Sequence, residues 1–476
     1  MRILLFNPPP VDGAQIIREG RCMQRADSWA TAWPPLSLCL LAAIAARHGA
    51  EVSVWDGNVE PGADGPALLR VIDGLQPDVM VFAPAFPTLP SDASLAERVA
   101  RAHPEVRLIG FGGLFTLLGV EAMELFPSVE LGIHGEPELA FDAILESLLR
   151  GDPPRDLPGV MTRDDDGEIQ PGPEPVLVAD LDSLPLPARG LLETKRYRLP
   201  HNGRPYALVN TARGCTFPCG FCIATIYHGR SYRRHSVAYI LEDLRRCQQE
   251  HGLSDFLFWE EAITLDRAFV LELCEGIRSA GLKIGWSATT RADKLDREVL
   301  QAMRAAGCEL LGLGVESGSQ AVLDAAGKGE RLEDIRHGIV LCRDAGIRTM
   351  GHFVLGVPGE TRESLEQTIR YAPTLGLDYL QAYPMVPYPG TPLGDQARER
   401  GWVHATRWEQ FDLGGPCILD RPGLPATEID RAVRRVYRGF YLRPTFMARQ
   451  VPELLHRPRQ LFQAGRFLRW MARGGS

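Results

Sequence analysis

The 476-residue sequence predicts an α/β protein made of two successive strand–helix series: a doubly wound parallel sheet, then a partial (β/α)6 barrel, then a helical C-terminal tail. Three observations predict it. Short apolar or alternating runs alternate with longer amphipathic ones, the pattern of βαβ units. The alternation breaks once, over residues 151–200, where Pro, Asp and Gly accumulate without a long periodic segment. No long sequence repeat is visible, which excludes a solenoid.

Each element has its own signal. RILLFN (2–7) is an apolar run stopped by Pro8, Pro9 and Pro10, so it reads as a buried strand. LSLCLLAAIAARHG is a helical pattern ending at Gly49, EVSVWDG an alternating strand, and Gly65–Leu75 a helix. VMVFAPAF follows as a strand, ASLAERVARAHP as a helix, EVRLIGFGG and VELGIHGEPE as strands, and AFDAILESLLRG closes the series as a helix. This first domain spans 1–150, and sheets of this kind bind ligands at the carboxyl ends of their strands. Residues 151–200 read as a linker or a small hairpin. The second series occupies 201–400: LVNTARG, FLFWEEA, KIGWSATT, ELLGLGVES, TMGHFVLGVPGE and YLQAYPMVPYPG are strands with a helical pattern after each. Six such steps suit a closed or partial barrel with its working loops at the strands' C-terminal ends.

Composition excludes several classes. With 45% hydrophobic and 24% charged residues the chain is not disordered, and 52 Lys+Arg against 60 Asp+Glu lack the field that attracts nucleic acid. Prolines interrupt the N-terminal apolar run and no segment is long enough to span a bilayer, so a cytoplasmic protein is expected. In a reducing compartment the ten cysteines are buried hydrophobes or ligands rather than disulfides. Cys22, Cys39, Cys247, Cys274, Cys308, Cys342 and Cys417 are scattered, whereas Cys215, Cys219 and Cys222 stand together in TARGCTFPCGFC with C-x3-C-x2-C spacing. Structural zinc normally takes four ligands, often from paired C-x2-C units, and no second pair or H-x3-H partner follows here. Three thiolates on one loop suit three irons of a four-iron cluster, with the fourth iron open. A zinc site or a chance spacing is the plainer alternative.

The triplet, with Phe221 before its last cysteine, resembles the signature of the radical S-adenosylmethionine (SAM) superfamily. The resemblance implies a [4Fe–4S] cluster on Cys215, Cys219 and Cys222. It implies that SAM chelates the open iron and is cleaved reductively to a 5′-deoxyadenosyl radical. It also assigns later motifs. WEEAIT resembles the acidic motif that binds the methionine amino group, implicating Glu260 or Glu261. SATTRAD places Arg291 toward the carboxylate, and GVESGSQ implicates Glu316 and Ser317. GHFVLGVPGET resembles the adenine-contacting segment, with Gly356 and Gly359 allowing close approach. Taken singly, Arg291 and Glu316 are equally readable as salt-bridge partners within the barrel.

A doubly wound, Rossmann-like domain ahead of such a barrel resembles the cobalamin-binding members of the superfamily. The matches are NPPP (Asn7, Pro8), WPPLSLCLLAAIAARHGAEVSVWDG, FGGLFTL (Gly112, Gly113, Thr116) and HGEPELAFDAIL (Gly135, Glu136). These residues are expected around the cofactor's tail. No Asp-x-His-x-x-Gly occurs, so the resemblance implies base-off cobalamin without a histidine ligand. It further implies methyl transfer from methylcobalamin to an unactivated carbon or to phosphorus, with an external flavodoxin- or ferredoxin-type electron donor. Oxidative cyclisation or ring rearrangement with the same cofactors is the alternative, and a non-catalytic cobalamin or iron–sulfur sensor is an alternative of another class. Tyr383 is the candidate proton donor in a substrate cavity, with Tyr379 and Tyr388 nearby, although aromatic residues there also serve packing.

Over 401–476 the chain turns helical and basic. From Arg431 onward eleven arginines face one acid, Glu453, and Phe440, Tyr441, Phe446 and further apolar residues are interleaved. Such a segment suits either an anionic membrane face, with a lipophilic substrate and a location peripheral to the inner membrane, or a helical cap on the barrel.

Overall fold

The computed structural model describes residues 1–26, 32–164, 166–199, 202–444 and 446–448. They form two compact units: Met1–Thr216 with Ile223–Trp259 and Arg407–Asp412, and Phe217–Cys222 with Glu260–Thr406 and the chain from Leu413.

In the first unit the strands are β1 (Arg2–Asn7), β2 (Ile16–Glu19), β3 (Cys22–Arg25), β4 (Glu51–Asp56), β5 (Val79–Phe82), β6 (Arg107–Gly110), β7 (Leu131–Ile133), β8 (Val160–Arg163) and β9 (Ile169–Pro171). Helices α1 (Leu36–Arg47), α2 (Gly65–Leu75), α3 (Leu89–Ala102), α4 (Gly113–Leu118), α5 (Val120–Leu125) and α6 (Pro137–Arg150) lie between them. One sheet has the order β4-β1-β5-β6-β7-β8-β9. Its first five strands are parallel, and β8 and β9 are antiparallel additions. The strand order reverses at β1, so the ends of β1 and β5 flank the position where such sheets take ligands. Helix α1 buries nine of its twelve residues, which is why its sequence is apolar all round. Leu38, Leu41 and Ile44 pack with Ile3, Leu5, Val81, Ile109, Phe141 and Ile144 in one core.

Two departures from the sequence reading occur here. The hairpin β8–β9 lies in the stretch 151–200 and continues the first sheet, so that sheet extends past the boundary expected at 150. The segment after Pro8–Pro10 carries a second hairpin, β2–β3, for which no strand was expected. The first unit also holds β10 (Tyr206–Asn210), β11 (Ala212–Arg213), β12 (Arg233–Arg234) and β13 (Asp255–Trp259), with α7 (Ala224–Tyr227) and α8 (Val237–His251). β10 and β13 are parallel, and β11 and β12 form a two-residue antiparallel ladder.

The second unit has β14 (Gly285–Thr290), β15 (Cys308–Glu316), β16 (Arg348–Leu355) and β17 (Tyr379–Pro384), parallel and adjacent in chain order. Its helices are α9 (Arg267–Ser279), α10 (Arg297–Ala305), α11 (Gln320–Ala325), α12 (Leu332–Asp344), α13 (Arg362–Tyr371), α14 (Pro392–Glu399) and α15 (Ala426–Tyr441). Side-chain caps start four of them: Asp266 on α9, Asp296 on α10, Thr361 on α13 and Thr391 on α14. Leu311, Leu313, Val315, Phe353, Leu355 and Leu380 are fully buried on one sheet face. The alternate residues Thr289, Gly314, Met350, His352, Gln381 and Tyr383 are half-buried on the other.

Helix α15 corrects part of the expected membrane-facing tail. Phe440 and Tyr441 are buried, and the Tyr437 and Tyr441 hydroxyls accept the Ala382 and Leu380 N–H groups of β17 at 3.1 and 2.9 Å. These aromatics close a sheet edge and so cannot face lipid. The rest of the basic tail, from residue 449, lies outside the described residues. No described helix is long and apolar enough to cross a membrane.

Candidate functional site

The cysteine loop is fixed from both ends. Gly214 has φ +89°, and a Cβ there would land on the Ser231 carbonyl oxygen, so only glycine can precede Cys215. The Cys215 N–H donates to the Gly229 carbonyl at 3.4 Å. At the other end the Cys222 N–H donates to the Cys219 carbonyl at 3.1 Å. Gly220 donates to the Ala326 carbonyl and accepts from Leu393 N–H, both at 2.9 Å. Cys215, Cys219 and Cys222 are half-buried and in no disulfide, as is Cys22 on β3, whereas the other six cysteines are buried. Burial pushes the Cys219 thiol up to about 12, against the pull of Lys328 and Arg291. A thiol in that position ionises when a metal takes the sulfur. Among the described residues no group of three or more His, Cys, Asp or Glu is drawn together around a single-ion position. Thiolates that each bind a separate iron of a cluster stand farther apart than ligands of one ion. The donor set of three soft, reachable thiols on one loop fits an iron–sulfur cluster.

A buried charge network lies beside Cys219 in the second unit. The Arg291 guanidinium stacks on the Phe217 ring, 3.7 Å from its centroid, and is gripped by both Asp293 carboxylate oxygens at 3.0 and 3.1 Å. Its Nη1 donates to the Lys328 carbonyl at 2.7 Å. Lys328 Nζ bridges Glu316 at 3.0 Å and Glu330 at 3.2 Å. Burial alone would lower the lysine's pKa, but the two carboxylates raise it, so it stays charged. A bulge in β15 between Gly314 and Glu316, with Glu316 at φ +60°, aims the carboxylate at Lys328. A Cβ on Gly314 would come within 2.5 Å of the Glu316 carboxylate and 2.6 Å of Lys328 Nζ, so glycine there lets the pair meet without shifting.

The other expected SAM contacts fall into different situations. Glu260 is buried and Glu261 half-buried, and the Thr289 hydroxyl donates to their carbonyls at 3.1 and 3.5 Å. Phe221 is half-buried between Gly220 and Cys222. Ser317 is fully buried and shares a 3.0 Å hydrogen bond with the Thr368 hydroxyl, so its side chain is already engaged within the protein. Gly356, at φ +86°, has Ile429 of α15 within 2.9 Å of a Cβ position, and Gly359, at φ +96°, has Ala325 of α11 at 3.3 Å. The Tyr383 hydroxyl pairs with His352 Nδ1 at 2.8 Å across β16 and β17. Sequence reasoning missed Phe217, Lys328, Glu330 and His352. Only the GKGE run after α11 hinted at Lys328 and Glu330, as opposite charges spaced by a glycine.

At the carboxyl edge of the first sheet, Asn7 and Pro8 are buried where β1 ends. Asn7 bonds Asp56, which also accepts from the Tyr197 hydroxyl at 2.7 Å. Gly112 has φ +95° and only Ala83 near a Cβ position, at 3.5 Å, whereas the room beside Gly113 is filled by the Met23 side chain. The Thr116 hydroxyl donates to the Gly112 carbonyl at 2.9 Å and accepts from Gly135 N–H at 3.1 Å. Glu136 accepts from Arg233, His228 and Val178 N–H. Gly112 therefore has room where a side chain would be, while Thr116 and Glu136 are committed to internal bonds.

A parallel α/β scaffold carrying a three-cysteine loop is the arrangement that a radical SAM domain calls for. Residues 209–372 match the Radical SAM superfamily, and the chain carries that superfamily's domain. It is 28% identical over 456 residues to an uncharacterized methyltransferase of Pyrococcus horikoshii, covering 95% of both chains. It is 27% identical over 429 residues to an anaerobic magnesium-protoporphyrin IX monomethyl ester cyclase of Cereibacter sphaeroides, covering 87% of this chain and 68% of the cyclase. Among solved structures it shares its fold with the radical SAM methyltransferase TsrM from Kitasatospora setae, solved with cobalamin and a [4Fe–4S] cluster bound. The TM-score is 0.72 at 17% identity, over 94% of this chain and 90% of that one.

Proposed function

We propose that this protein is a cobalamin-dependent radical SAM methyltransferase acting on an unactivated carbon, or phosphorus, of a small molecule. The observation that carries the reading is the near full-length likeness of both units to a methyltransferase solved with cobalamin and a cluster. In this reading Cys215, Cys219 and Cys222 hold the cluster. Phe221, Glu260 or Glu261, Arg291, Glu316 and the Gly356–Gly359 segment surround SAM within a partial (β/α)6 barrel. The carboxyl edge of the first sheet, around Asn7, Pro8, Gly112, Gly113 and Gly135, takes base-off cobalamin. When bound, the cluster supplies the electron that cleaves SAM, and cobalamin carries the methyl group.

The chain's own residues bind, orient and exclude. Arg291, fixed by Phe217 and Asp293, offers a preorganised cation to a carboxylate. Lys328 offsets the carboxylates beside the thiolates. On the second unit's half-buried sheet face, Thr289, Gln381 and the His352–Tyr383 pair present hydrogen-bonding groups, which suits a substrate with polar functions on whatever apolar frame it has. An external one-electron donor of flavodoxin or ferredoxin type completes the turnover.

Anaerobically reconstituted protein is expected to form 5′-deoxyadenosine from SAM only with a reductant, and to take up about one cobalt per chain from hydroxocobalamin. Loss of the nucleoside in Cys222→Ala is the control. Reductant-independent or absent 5′-deoxyadenosine would overturn the radical reading, and absence of cobalt would remove its cobalamin half. Likeness to the cyclase favours a second reading, ring closure with the same cofactors, in which no methyl label reaches product.

A further inference from the structure

Cys215 sits at the start of an excursion, residues 214–232, that leaves β11 and returns through β12. The two short strands pair Ala212 with Arg234 and Arg213 with Arg233. Each contributes one arginine to one pair of buried acids at the start of α6. Arg213 forks onto Glu138 at 3.1 and 2.7 Å and lies 3.6 Å from Glu136. Arg233 forks onto Glu136 at 2.9 and 2.7 Å, and its guanidinium also donates to the Val178 and His228 carbonyls. His228 Nδ1 meets Glu136 at 2.7 Å, and Val178 N–H donates to it at 3.0 Å. All five side chains lie in the first unit, with exposures of 0% for Glu136, 3% for Glu138, 5% for Arg213, 9% for His228 and 10% for Arg233.

Two carboxylates against two guanidiniums and an imidazole is a closed set. It leaves no acceptor on Glu136 for an outside ligand, so this residue does not serve the cofactor tail that its place after Gly135 suggests. Burying so many charges is costly, and a hydrophobic patch would stabilise the same contact at least as well. What charges add is a defined position. The element they position is the excursion itself: His228 precedes Gly229, whose carbonyl binds the Cys215 N–H, and Arg233 lies two residues after Ser231, whose carbonyl abuts Gly214.

We propose that Glu136 is a positioning residue for the Cys215 ligand, acting through His228 and Arg233, and that Glu138 does the same through Arg213. This rests on the cluster reading above. The acids of the HGEPE segment thereby hold the metal loop in register from outside the radical SAM motif.

The test is Glu136→Gln in the full chain, with His228→Gln as the milder variant should the first fail to fold. Folding is judged by circular dichroism and gel filtration before and after iron–sulfide reconstitution. In folded variants, iron release to a chelator is expected to quicken by about tenfold, in line with changes to groups that orient metal ligands. The paramagnetic resonance spectrum of the reduced cluster is expected to shift, and in cluster-free protein alkylation of Cys215, mapped by mass spectrometry, to accelerate. A purely structural role would lower the melting temperature and leave the spectrum unmoved. Folded variants with wild-type iron content, release within twofold and a superimposable spectrum would overturn the proposal alone. Wild-type protein that takes up no iron would overturn the cluster reading together with it.

Discussion

Glycines decide more of this site than charges do. Gly214 precedes the first cysteine at φ +89° with the Ser231 carbonyl where its side chain would be. Gly214→Ala must therefore open the hairpin that carries Cys215. The expected outcome is a folded chain with reconstituted iron reduced at least about threefold, measured by iron analysis on protein of unchanged circular dichroism; full iron content would contradict it. Glu19 illustrates a different constraint. Burial pushes its carboxyl up to about 7 despite hydrogen bonds from Ser37. A group whose folded pKa is raised stabilises fully below its unfolded value near 4.5 and loses that stabilisation as pH rises through 7. Glu360, also pushed up to about 7 by burial, acts with the same sign. Glu19→Gln is thus expected to flatten the fall in melting temperature between pH 5 and about 8, with a gain on the order of 3 kcal/mol at the upper end. A variant less stable than wild type at pH 8 would refute this placement.

At the scale of elements, α15 is the instructive one. Amphipathic periodicity showed which face of the segment is apolar, but not what covers that face, and both a lipid surface and a sheet edge satisfy the same pattern. The structure seats Tyr437 and Tyr441 on β17, where their hydroxyls take the edge amides of Ala382 and Leu380. Tyr441→Phe leaves the buried Leu380 N–H without its acceptor, at a cost of about 1–3 kcal/mol. Hydrogen exchange at Leu380 should accelerate while exchange in β1 does not; equal protection in both proteins would contradict the assignment. That the hairpin β8–β9 continues the first sheet escaped sequence reading for a related reason, since its short strands lie among Pro, Asp and Gly and left a linker and a small hairpin equally readable. The cysteine triplet was legible because its meaning is carried by chain-local spacing. Lys328 was not, because its role depends on a bulge that turns Glu316 toward it from another element. Ser317 and Glu136 were legible as polar residues in loops after strands, yet each is bound within its own protein, a fact that spacing alone cannot encode.

The whole molecule comprises two α/β units, and the proposed function needs both to carry their cofactors at once. Each unit has its own core and its own strand order, so each strand-and-helix pattern was readable independently. What sequence could not supply is the substrate, because the matched motifs serve a cofactor shared across the superfamily. The central claim is methyl transfer through cobalamin. It is tested most directly by giving reconstituted, reduced protein SAM labelled in its methyl group and counting label on the protein-bound corrinoid after gel filtration. Label on about one corrinoid per chain is expected, and none when hydroxocobalamin is left out. Label that remains wholly in SAM, with no corrinoid retained by the protein, would contradict it.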